Sequence, residues 1–165
     1  MIWPTKMDKR ALLKLADHIE AVPDSGFKMD VWCSVVDGKT ASMEHHKRQY
    51  SCGMAACVGG HAAIKFPKRL RLRKMKDWYG KLVLGRLFLG KTSRIEGPSA
   101  FSRAFGICDV CAEHLTDSDA PHDTPKKAAK AIRGLVSGKG FDKAYNGKRI
   151  PDLNHCNSKT TNCND

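Results

Sequence analysis

Residues 52 to 65 read Cys-Gly-Met-Ala-Ala-Cys-Val-Gly-Gly-His-Ala-Ala-Ile-Lys. This run of small residues constrains the fold more than any other feature of the chain. Gly53, Ala55, Ala56, Gly59, Gly60, Ala62 and Ala63 leave almost no side-chain bulk. Ser51 can cap a helix that begins at Cys52, and Pro67 closes it soon after Lys65. Three glycines inside one helix cost about 1 kcal/mol each relative to alanine. That cost is offset when another element packs closely on the exposed backbone. The run therefore predicts a central, buried helix over residues 52–65, with the other elements gathered around it.

The flanking sequence supplies those elements. Leu12, Leu15, Ala16, Ile19 and Val22 recur every three or four residues and form one apolar face of a helix over 8–22, with Asp8 as N-cap and Pro23 as stop. Asp24-Ser25-Gly26 is a turn, and Phe27 to Cys33 reads as a loop followed by a short helix. Residues 38–50 read as a polar loop containing His45 and His46. Leu70 and Leu72 alternate with Arg69, Arg71 and Arg73, the period of a strand. The apolar triplets at 82–84 and 87–89 are placed either to pair with it or to form a helix. Pro98 opens a short helix that Gly106 ends, and another covers about 109–115. Thr124-Pro125 starts a last helix to about Ser137, burying Ala129, Ile132, Leu135 and Val136. The expected fold is mainly α: about five helices around the small-residue helix, with a small β-ribbon an option in the basic segment. The helical domain covers 1–138, and the polar stretch 139–165 reads as a flexible tail.

Charge narrows the function. Lys plus Arg is 29 and Asp plus Glu is 17, a net of +12. Residues 65–94 hold eleven of the basic residues and one acid, Asp77, and so carry +10 of that net charge, leaving +2 for the rest of the chain. A stripe this concentrated implies an anionic partner: nucleic acid, an acidic protein face or an anionic membrane surface. Lys68, Arg69, Arg71, Arg73, Lys74, Lys76, Lys81 and Arg86 are the residues expected to meet it, and Trp78 and Tyr79 could stack on exposed bases.

The longest apolar run, 82–89, is broken by Gly85 and Arg86 and falls far short of the roughly 20 residues that span a bilayer. No apolar export segment opens the chain, and the seven cysteines are an odd number. Reduced thiols in a cytoplasm, with no disulfide framework, are the expectation.

Two further chemistries are open. Cys52, at the start of the expected helix, would have its thiolate favoured by the helix dipole. Cys52-Gly-Met-Ala-Ala-Cys57 is similar to the nucleophile segment of papain-like and bacteriocin-processing cysteine peptidases. His114 or His122 could serve as base, Asp117, Asp119 or Asp123 could orient it, and Gln49 could assist an oxyanion. Those enzymes carry their histidine on a β-rich second lobe, and this chain reads as helical there. Alternatively, Cys57, His61, Cys108 and Cys111 satisfy tetrahedral zinc on paper if two helices meet in register. Cys108 and His114 would lie about 120° apart on one helix and could not easily share an ion. The tail residues His155, Cys156 and Cys163 are weaker ligands still, and His61 also suits a core position. There is no P-loop, dinucleotide fingerprint or paired-carboxylate motif.

The chain also resembles an uncharacterised family of small helical proteins of bacteriophages, prophages and some bacteria. The resemblance rests on the Ala11 to Trp32 stretch and on Cys52-Gly-Met-Ala-Ala-Cys-Val-Gly-Gly-His-Ala62. Phe105-Gly-Ile107, Ala112-Glu-His-Leu115 and Thr124-Pro125 to Ala129 complete it. The basic insert, Cys108, Cys111 and the tail depart from the pattern. The resemblance implies a helical fold and a phage-type origin, and it supplies no activity. Together with the charge it gives a non-enzymatic accessory protein without a cofactor, acting in a host cytoplasm on nucleic acid or on an acidic host or virion protein, as an inhibitor of host machinery would. A Cys52 hydrolase and a zinc-stabilised interaction module are the alternatives.

Overall fold

Asp8 starts the first helix, as its position predicts. Its Oδ1 accepts the Ala11 N–H at 3.0 Å, and α1 runs over Lys9–Glu20. The computed structural model describes residues 4–27, 29, 34–35, 54–76, 82–118 and 120–138. Ala11, Leu12, Leu15, Ala16 and Ile19 are the buried face of α1. Burying side chains of the size of Leu12, Leu15 and Ile19 is worth about 1.5–3 kcal/mol each. Pro23 stands just before a 3₁₀ turn, Asp24–Gly26. Of the short helix expected after Phe27, residues 28 and 30–33 lie outside the described residues. Ser34–Val35 forms a strand, β1, paired antiparallel with Met54–Ala55, β2.

That second strand corrects the central expectation. The helix does not begin at Cys52. It is α2, Val58–Lys65, entered from an extended Cys57. The preceding residues spend their backbone groups elsewhere: the Ala56 N–H donates to the Gly26 carbonyl at 3.2 Å, and Ala56 bridges to Phe27. Small residues announce a close approach of two backbones, and strand and helix satisfy that equally well. The central position holds: Val58, Gly59, Gly60, His61, Ala62 and Ala63 are all buried. This helix touches α1, the hairpin and the fourth helix.

The basic segment is a β-hairpin. β3, Leu70–Lys76, pairs antiparallel with β4, Leu82–Leu89. Leu70 stands opposite Leu89 and Leu72 opposite Leu87, and all four are buried. The register slips between Arg73 and Lys74, where Arg73 faces Arg86 and Lys74 faces Leu84. Gly85 is therefore the extra residue of a β-bulge. α3, Gly97–Phe105, packs on β4, with Pro98 in its first turn and Gly106 closing it at φ 63°. α4 covers Asp109–Thr116, and the Cys108 sulfur accepts the Cys111 N–H at its start. α5, Pro125–Ser137, is capped by Thr124 and packs along α1. Ala128, Ala129, Ile132 and Leu135 are its buried face, with Val136 only partly buried. The fold is thus mainly α, with five α-helices and two small antiparallel sheets among the described residues. Residues 139–165, read as a tail, lie outside them.

Candidate functional site

The hairpin sorts its side chains by the period-two rule of a strand. Leu70, Leu72, Leu87 and Leu89 face the core, so Arg71, Arg73, Arg86 and Phe88 share the outer face. The cross-strand partners on that face are Arg71 with Phe88 and Arg73 with Arg86. The Arg73 guanidinium carbon lies over the Phe88 ring, 3.9 Å from the centroid. Phe88 is 7% exposed although it points away from the core. A guanidinium stacked this way keeps its N–H groups at its edge, and they remain available to an anion in its plane. Arg71 donates one N–H to the Lys91 carbonyl at 3.2 Å.

Arg73 and Arg86 are exposed and directly opposed. Like charges so placed repel and destabilise a hairpin. Among the described residues one carboxylate answers them: Glu96 contacts Arg86 at 3.5 Å, and its backbone bridges to Phe88. Among the described residues no carboxylate pairs with Arg73. Lys68, Lys91 and Arg94 add exposed charge around the face.

Arg69, grouped by sequence with this stripe, has different work. Its Nη2 donates to Asp8 Oδ2 at 2.7 Å, and its Nη1 donates to the Ala104 carbonyl at 3.1 Å. Its guanidinium also sits 5.6 Å from the Phe66 ring centroid and 6.0 Å from that of Phe105. One half-buried arginine thus joins the start of α1, the end of α3 and the base of β3. Burial would raise the Asp8 pKa, but the Ala11 N–H and Arg69 outweigh it and hold the carboxyl below the ordinary aspartate value. The Asp8 N–H adds a bond to the Phe105 carbonyl at 2.8 Å.

Lys74 and Lys76 lie on β3 beyond the bulge, and Trp78, Tyr79 and Lys81 fall outside the described residues. The sequence reading missed Phe88 and Glu96. The signal for Phe88 was present, because the alternation through Arg86, Leu87, Phe88 and Leu89 sets it beside Arg86 on the outer face. Nothing in the sequence announced Glu96, which reaches Arg86 only through the turn after β4.

The other chemistries fare differently. Cys52, Gln49 and Asp119 are outside the described residues. The helix expected to open at Cys52 begins instead at Val58. His122 is buried, and its Nε2–H donates to the Leu115 carbonyl at 3.1 Å. Burial lowers its pKa, against the opposing pull of that carbonyl and of Asp117. His18 is also lowered, by burial and then by Lys65. The composite zinc site does not assemble: among the described residues no three His, Cys, Asp or Glu side chains are grouped to hold a metal ion. His61, fully buried as a core residue, donates its Nε2–H to the Gly26 carbonyl at 3.0 Å and stacks on Phe27. His45, His46, His155, Cys156 and Cys163 lie outside the described residues. No described helix is long and apolar enough to cross a membrane.

Compared with known proteins, the chain matches no family model, no curated protein and no solved structure.

Proposed function

We propose that this protein is a non-enzymatic accessory protein that binds nucleic acid through the outer face of the β3–β4 hairpin. The observation that carries the reading is Arg71, Arg73 and Arg86 gathered on one strand face, with Arg73 directly opposite Arg86. A two-stranded ribbon with one face packed on its own core and the other lined with arginine suits a polyanion. The arginines neutralise phosphates and release counterions, which gives affinity largely independent of sequence. The resemblance to phage proteins adds the setting: a host cytoplasm, where a small basic protein can obstruct host machinery without catalysis. An acidic host or virion protein is the alternative partner for the same face.

The test is binding to a labelled random-sequence duplex and to a single strand over a salt series. Wild type is expected to bind with a steep loss of affinity as salt rises. Replacing Lys68, Arg71, Arg73 and Arg86 by Ser, with Arg69 left intact because it holds the fold, is expected to abolish most of that binding. No binding at low salt would set the reading aside in favour of the acidic protein partner.

A further inference from the structure

The outer face of the hairpin is more specific than a patch of positive charge. All three cations described on that face are arginines; Lys68 and Lys91 lie in turns beside the strands, and Lys74 and Lys76 continue β3 beyond the bulge. Arginine and lysine are equal in charge but differ in shape. Guanidinium offers a planar fork that grips two oxygens of a phosphate at once, while ammonium is a point charge. The Arg73 fork also rests over a Phe88 ring before any ligand arrives, and that ring is itself almost fully covered. Cross-strand neighbours have Cβ atoms about 4.5–5.5 Å apart, so the two long side chains of Arg73 and Arg86 can converge on one group. Among the described residues their mutual repulsion is relieved at Arg86, by an exposed Glu96 at 3.5 Å.

We propose that Arg73 and Arg86 form a clamp for a single backbone phosphate, with Phe88 as the platform that orients Arg73 and Glu96 as the built-in competitor that occupies Arg86 until the phosphate displaces it. This rests on the reading of the hairpin as a nucleic-acid interface and goes beyond it. Diffuse charge would be served equally well by lysine and would gain nothing from a particular carboxylate. The covered face of Phe88 also points to phosphate rather than base: its ring is already stacked by Arg73 and is not offered to a nucleobase.

The full-length protein is titrated against a short labelled random-sequence duplex at moderate salt, with unlabelled polyglutamate as a competing polyanion that has carboxylates in place of phosphates. In Arg73→Lys/Arg86→Lys every charge is kept and only the forks are lost. Affinity is expected to fall roughly tenfold, as a charge-assisted bidentate contact becomes a monodentate one. In Glu96→Gln the competitor is removed, and affinity is expected to rise about threefold, the scale of one exposed ion pair. A gain of affinity cannot come from misfolding, so this variant guards against a trivial result in the first. Equal affinity of the lysine double variant and wild type would overturn the clamp while leaving the hairpin a nucleic-acid surface. An unchanged affinity in Glu96→Gln would overturn the competitor role and with it the proposal as stated. Polyglutamate displacing the duplex as readily as unlabelled duplex does would overturn phosphate selectivity. A wild type that binds no duplex at all would overturn the interface reading and the clamp together.

Discussion

Gly97 and Gly106 bracket α3 with nearly the same backbone, φ 64° and 63°, in quite different surroundings. A side chain at Gly97 would meet nothing within 4 Å, whereas a Cβ at Gly106 would collide with the Lys6 carbonyl. Gly97→Ala is therefore expected to cost about 1–2 kcal/mol, the left-handed penalty alone. Gly106→Ala should cost visibly more, because backbone must move, and urea unfolding of the two variants measures the difference. The basic residues divide the same way. Arg69→Ala removes two charge-assisted contacts and leaves Asp8 and the Ala104 carbonyl short of a partner, so it is expected to cost about 2–4 kcal/mol. Arg69→Lys restores little of this, since one ammonium cannot reproduce the fork. Arg73→Ser, at an exposed site, should change stability by less than about 1 kcal/mol and show its effect in binding. His122 adds a pH dependence. Its folded pKa lies below the unfolded value near 6.5, so the unfolded chain binds the proton more readily in the interval between them. The stabilisation is complete above about pH 6.5 and is lost as pH falls through the folded value; His18 acts in the same direction. In His122→Gln, which retains an N–H donor for Leu115, the fall in melting temperature below pH 6.5 should be shallower.

Among the elements, those with a periodic apolar face and a cap were legible in the sequence. Asp8 and Thr124 cap α1 and α5 where their positions predict, and Gly106 and Gly138 close α3 and α5 in left-handed conformation. The first strand of the hairpin was legible through alternation, because Leu70 and Leu72 sit two apart and are both buried, whereas the apolar triplets of the second left strand and helix open. The start of α2 was not. A run of Gly and Ala has no side-chain pattern to separate strand from helix, and the deciding bond, from Ala56 to the Gly26 carbonyl, joins residues thirty apart in sequence. The role of Arg69 was hidden for the same reason: Asp8 is 61 residues away. Proximity in the chain grouped Arg69 with Arg71 and Arg73, and only the fold separates a structural arginine from the surface ones. The demand for close approach at α2 is itself testable. Ala62 is fully buried, so Ala62→Leu overfills its site and is expected to cost about 1–3 kcal/mol by urea unfolding.

For the whole molecule, the architecture is one of division of labour. Helices α1, α2, α4 and α5 bury apolar faces, and Arg133 on α5 joins Asp17 and Glu20 on α1 at 2.8 and 2.7 Å. The hairpin closes that core with one face and presents arginine with the other. The central claim is that this outer face is where a nucleic acid binds, and the salt dependence of duplex affinity tests it most directly. Each phosphate neutralised contributes roughly 0.9 to the slope of log affinity against log salt. Replacing Arg71, Arg73 and Arg86 by Ser should reduce the magnitude of that slope by about two, for one phosphate at Arg71 and one at the Arg73–Arg86 clamp, and weaken binding at every salt concentration. An unchanged slope and affinity in that triple variant, with its fold intact by circular dichroism, would contradict the account and place any nucleic-acid contact elsewhere on the protein.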